Sequence, residues 1–270
     1  MILTRRKAVI TVPADILDQD RYSDTVAAEI LMLAEAIRRT DADTPVPSCP
    51  GWTARTLATH IGMIHSWVRQ TVRDSAREPL EFSQFGRDLP QEWSGFGDWL
   101  DSMSEPLSET LRSADPDAPA WSFTDIQQAR FWPRRMLHET MIHRVDAELA
   151  AGIRPRTEAD AAVDGLDELL YLLSYTHPFR SAPADLRGHG ETIHIHATDV
   201  DVHWQITMTP EGHTWERSDA DTARKASAVI RGHAGEVHLF QYNRLSDQVA
   251  DVECTGDGTV LADWLTRSAL

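Results

Sequence analysis

A chain of 270 residues, 41% hydrophobic and 25% charged, can bury a proper core in one large domain or two medium ones. Its formal net charge of −16 opposes nucleic acid or an anionic membrane as the main partner, since both reward clustered Lys and Arg. No apolar run approaches the roughly 20 residues of a membrane helix. The apolar stretch 8–12 that follows Arg5, Arg6 and Lys7 meets Pro13 and Asp15 too soon for a secretory signal, and two cysteines build no disulfide framework, so a cytoplasmic protein is expected.

Residues 1–20 read as an extended arm. Helical spacing of Val26, Ile30, Leu33, Ala34 and Ile37 predicts a helix over 21–39, with Ser23 or Asp24 as its cap. The Pro-rich stretch 41–51 is a connection without periodicity. A second helix is expected over 53–76, capped by Thr53, with Leu57, His60, Ile61, Ile64, Val68 and Val72 as its inward stripe. Residues 77–91 read as loop, and a third helix spans 92–113. A fourth starts near Pro133 and stops at Gly152, because proline suits a first helical turn and glycine a helix end. A fifth, over 158–175, closes the helical half at His177 and Pro178.

Beyond residue 180 the pattern alternates as strands do, over 192–198, 202–208 and 214–217. Helical stretches over 220–230 and 236–242, a strand over 249–253 and a helix over 259–267 complete the chain. The expected class is α+β: a helical domain over 21–180, then a smaller α+β domain over 181–270.

The chemistry centres on the fourth helix. Glu139 and His143 lie four residues apart, so carboxylate and imidazole stack on one face, one turn apart. His60 projects from the inward stripe of the second helix, where it can meet them from a facing element. Two imidazoles and a carboxylate leave a fourth tetrahedral position open, the pattern of a catalytic metal. Read alone, E-x-x-x-H recurs by chance, and His60 alone reads more simply as a hydrogen-bonded core histidine.

The run Cys49-Pro50-Gly51-Trp52-Thr53, continued by Leu57-Ala58-Thr59-His60-Ile61, resembles the opening motif of the mycothiol-dependent maleylpyruvate isomerase family. The segment His138-Glu139-Thr140-Met141-Ile142-His143-Arg144-Val145-Asp146-Ala147-Glu148 resembles that family's second motif. The resemblance implies a DinB-like four-helix bundle followed by a smaller α+β domain. It implies a divalent metal, usually Zn2+, held by His60, Glu139 and His143, with mycothiol as thiol cosubstrate. It also implies an arginine contributed by the second domain, from a segment occupied here by Phe240-Gln241-Tyr242-Asn243-Arg244. Arg244 is therefore the candidate, with Asn243 standing where the family has glycine, and Arg231 is the alternative.

A thiol beside such a cation loses its proton near neutral pH. The thiolate can add to a conjugated cis alkene, allow rotation and be eliminated as the trans product, or be transferred to the electrophile. Water in the same position would give a hydrolase. A transferase using another thiol, and a non-catalytic small-molecule-binding protein, are the remaining alternatives. The expected partners are a small thiol and a small electrophile, and a monomer is expected. Asp146 is a candidate to orient a ligand imidazole.

Other features read as structural. His194, His196, Asp199, Asp201 and His203 are spaced as a second metal site would be, yet a solvated strand face accounts for them more simply. Cys49 reads as part of a turn, Cys254 lacks supporting neighbours in sequence, and most of the nine tryptophans read as packing.

Overall fold

The computed structural model describes residues 18–175, 185–246 and 248–269. The expected arm over 1–20 lies outside the described residues up to 17, as does the break at His177 and Pro178. The chain divides into two compact units, the first ending at Thr157 and the second beginning at Glu158.

The first unit is a bundle of α1 (Gln19–Arg38), α2 (Ala54–Arg73), α3 (Phe96–Ser113) and α4 (Phe131–Ala150). Helices α1 and α2 each pack on both α3 and α4. Helix α1 starts earlier than the sequence suggests. Asp18 is its cap, accepting from Arg21 N at 2.9 Å, whereas Ser23 is buried and donates to Gln19 O at 2.7 Å. The same end of the bundle is tied by Gln19, whose Nε2 donates to Leu111 O at 2.7 Å and Ala114 O at 2.9 Å at the end of α3. Thr53 caps α2 as expected, accepting from Thr56 N at 3.3 Å. Helix α3 begins four residues later than predicted, because 93–95 form a separate 3₁₀ turn.

Helix α4 differs from the others. Every residue from Phe131 to Ala147 is buried, so it has no solvated face and its charged side chains must find partners inside the protein. Pro133 sits in its first turn, where the missing N–H costs nothing. Gly152 ends it with φ of 72°, a left-handed conformation that glycine adopts without a Cβ penalty.

The second unit joins α5 (Ala159–Leu172) to a five-stranded sheet of order β3-β2-β1-β4-β5. The strands are β1 (Thr192–Ala197), β2 (Val202–Thr209), β3 (Gly212–Ser218), β4 (Ala228–Gly232) and β5 (Val252–Gly256). Among the described strands only β1 and β4 pair in parallel. Helices α6 (Ala220–Ala223), α7 (Ala234–Gln241) and α8 (Gly258–Arg267) complete it.

Two expectations change here. The helix expected over 220–230 is a single turn, α6, followed by strand β4. Ala228 and Ile230 are fully buried, and the intervening Val229 is apolar although its face is partly exposed, so the short run shows no polar alternation to betray it. The domain division falls at Glu158, whereas the sequence placed it near 180, and α5 goes with the sheet. Buried Asp167 on α5 is the reason: it accepts from Trp204 Nε1 at 2.7 Å and Arg217 Nη2 at 2.6 Å, with the Arg217 guanidinium 4.4 Å from the Trp204 ring. The class is α+β, a DinB-like helical bundle and a smaller α+β unit. Among the described residues no helix is long and apolar enough to cross a membrane.

Gly62 on α2 lets Trp99 of α3 lie directly against the helix, and a Cβ there would come within 2.2 Å of the indole. Gly62→Ala is expected to destabilise the bundle by about 1–3 kcal/mol through overpacking, read as a lowered denaturation midpoint at unchanged slope.

Candidate metal centre

Three donor atoms converge from α2 and α4. His60 Nε2 lies 3.5 Å from Glu139 Oε1, and His143 Nε2 lies 3.4 Å from the same oxygen. All three donors fall within 4.8 Å of one another. A tetrahedral ion with bonds of about 2.0–2.1 Å separates its donors by about 3.3–3.4 Å, so this set fits a divalent metal with one position to spare. The three side chains are only 16%, 11% and 10% exposed.

The second sphere is equally defined. Arg135, one turn before Glu139, donates to Glu139 Oε2 and leaves Oε1 to the imidazoles. Asp146 Oδ2 lies 2.9 Å from His143 Nδ1 and fixes that ring. Asp146 is held in turn by Ser48, whose hydroxyl donates to Oδ1 at 2.5 Å, and by Cys49, whose thiol donates to Oδ2 at 3.4 Å. The Pro-rich connection is thus an ordered loop, closed by a bridge between Pro45 and Thr53 and turned at Gly51 with φ of 85°. It also places Trp52 edge-on to His60 at 5.0 Å and nearly parallel to His143 at 6.0 Å.

Burial alone would raise the Glu139 pKa, but Arg135 and the two imidazoles outweigh it and hold this carboxyl well below the ordinary range. Burial alone would lower His143. Its hydrogen bonds to Asp146 and Glu139 outweigh that and push it up to about 9. His65, also on α2, is wholly buried and bonds Thr140 Oγ1 at 2.9 Å; desolvation drives it down to about 3.

The structure places His60, Glu139 and His143, grouped on the sequence, next to one another, and Asp146 lies beside the His143 ring. Arg135 and Ser48 were missed. An i, i+4 pairing signals the first; nothing in the sequence signals the second. Arg244 belongs to the second unit, in the turn after α7, half-buried, with Nη1 donating to Tyr242 O at 2.8 Å. Arg231 is exposed on β4, 3.5 Å from Glu253.

Residues 24–148 match the sequence profile of the family described as the mycothiol maleylpyruvate isomerase N-terminal domain. The match spans most of the helical unit, which is similar to that N-terminal domain. Among solved structures, the chain is similar to a mycothiol-dependent maleylpyruvate isomerase at 14% identity and a TM-score of 0.57, over 88% of this chain and 93% of that one. A histidine-to-alanine mutant of such an isomerase gives 12% identity and a TM-score of 0.56 over the same shares. At these identities the likeness establishes a shared fold across both units. No curated protein sequence is significantly similar.

Because the metal-free protein keeps His143 protonated up to about pH 9, an ion must displace that proton at lower pH. The affinity for the first zinc equivalent is expected to rise with pH, about tenfold per unit, and to level off above about pH 9. Chelator competition across pH checks this; a flat profile between neutrality and that point would remove His143 from the ligand set.

Proposed function

We propose that this protein is a metal-dependent, mycothiol-utilising enzyme that isomerises a small electrophile through its cis double bond or transfers the thiol to it. The observation that carries the reading is the convergence of His60, Glu139 and His143, inside a unit similar to this family's N-terminal domain, at the spacing of a three-ligand tetrahedral site. A divalent ion, Zn2+ by its donor preference, would be held through the two Nε2 atoms and Oε1. When bound it supplies a positive charge at which a thiol loses its proton near neutral pH.

This chain's residues set the conditions for that chemistry. By accepting from Nδ1–H, Asp146 selects the His143 tautomer whose Nε2 lone pair faces Glu139. Arg135 offsets the charge of Glu139, so the carboxylates around the site do not cancel that of an ion. Trp52 packs against both imidazoles and shields that side from water. Arg244 is assigned to a carboxylate of the thiol or the electrophile; the support is the family resemblance, and a guanidinium suits a carboxylate by bidentate hydrogen bonding. Isomerisation and S-transfer share the same activated nucleophile. The products distinguish them.

The first experiment is a calorimetric titration of mycothiol into zinc-loaded protein, repeated after the metal is stripped, followed by turnover assays with maleylpyruvate. Binding that depends on the metal is expected, and no binding to fully loaded protein would overturn the thiol assignment in favour of water or another thiol. Glu139→Ala is expected to weaken zinc binding and turnover by more than about 100-fold, since even orienting residues cost 10–100-fold. Arg244→Ala is expected to raise KM for the carboxylate-bearing ligand at little cost in zinc content; an unchanged KM removes Arg244 from the site.

A further inference from the structure

The sheet carries a second cluster that the proposed chemistry does not use. His196 on β1 stands opposite His203 on β2, their rings stacked at 3.9 Å and 13°, and Asp201 projects from the turn between the strands. His196 Nε2 lies 3.3 Å, and His203 Nε2 3.2 Å, from Asp201 Oδ1, the three donors again within 4.8 Å of one another. These separations are about the edge of a tetrahedron with metal bonds of about 2.0 Å. Asp199, which shares the sequence spacing of this group, instead accepts from Ala234 N at 2.8 Å at the start of α7.

The hydrogen-bond chain behind the cluster fixes its tautomers. Gln205 donates through Nε2 to Ile206 O at 3.4 Å, so its Oε1 is the atom facing His194 Nδ1, also at 3.4 Å. An amide oxygen only accepts, which makes His194 Nδ1 the donor, with Thr222 Oγ1 as a second partner at 3.2 Å. The neutral His194 ring must then accept at Nε2, and the atom that donates to it is His203 Nδ1, at 3.0 Å. His203, 8% exposed, is left with a bare Nε2 lone pair pointing at a carboxylate oxygen. With that tautomer two acceptors face each other, and an ion between them would satisfy both.

We propose that His196, Asp201 and His203 form a second site, for a first-row divalent transition ion, with His194 as the residue that orients His203. Two imidazoles and one carboxylate favour zinc or its neighbours over calcium or magnesium, which prefer all-oxygen shells. The ion would tie β1, β2 and their turn together on the exposed side of the hairpin, where Asp201 is 88% exposed and an ion can enter.

The test is metal stoichiometry on the full chain, stripped with chelator and titrated with Zn2+. Unaltered protein is expected to take up two equivalents. Asp201→Asn combined with His196→Ala should take up one, and should keep its fold, since Asn tolerates the left-handed φ of 52° at that exposed turn. Glu139→Ala should also take up one, and the combination of all three changes none. Co2+ loaded into Glu139→Ala should give the visible absorption of a tetrahedral site, lost in the combined variant. One equivalent in the unaltered chain, or a second equivalent that survives the Asp201 and His196 changes, would overturn the proposal, a proton on His203 then being the cation. Since each centre is removed separately, a failure here is distinguishable from a failure of the site on α2 and α4.

Discussion

Helix α4 has no side that touches water, and the bundle is organised by the need to neutralise what that helix carries. Arg144 donates to Glu29 of α1 at 2.8 Å, to Glu148 one turn on at 2.7 Å, and to Arg156 O at 3.0 Å. Arg135 is paired with Glu139, and Asp146 is held by Ser48, Cys49 and His143. Burying a charge without such partners costs several kcal/mol, and removing one partner leaves the other stranded. The register of α1 and of the 41–53 loop against α4 is therefore set by charge as much as by apolar packing.

The candidate metal centre is a part of that same network. Glu139 is shared between a guanidinium and two imidazoles, so its position is over-determined before any ligand arrives. That preorganisation is what a site needs if its donors are to meet an ion without a further cost in ordering. The residues that keep α4 soluble in the interior of the bundle are largely the residues that shape its chemistry.

How much of this the sequence reveals depends on the range of each interaction. Helices α1 and α2 follow from a periodicity of 3.6, α4 from Pro133 and Gly152 at its ends, and the Glu139/His143 pair from i, i+4 spacing, all local signals. The grouping with His60 draws on the inward stripe of α2 and the family resemblance. The start of α1 was obscured because Asp18, Ser23 and Asp24 are all plausible caps, and only packing decides among them. Strand β4 was missed because Ala228, Val229 and Ile230 are all apolar, so its half-exposed face carries no polar residue before Arg231. The allegiance of α5 was missed because the partners of Asp167 lie 37 and 50 residues away, at Trp204 and Arg217. The histidines of β1 and β2 were visible as a spacing. Their tautomers were not, since those depend on which way the Gln205 amide faces.

Gln19 has a consequence for how the bundle comes apart. One side-chain amide binds carbonyls at the end of α3, and it stands in the first turn of α1, immediately after the Asp18 cap. Fraying of α1 from its N-terminus therefore strips the carbonyls in the last turn of α3 of their donor, and fraying of α3 releases the side chain that steadies α1. Two helix ends that would ordinarily open independently are coupled into a single opening unit, and the amides of both should share one exchange protection factor set by that shared event.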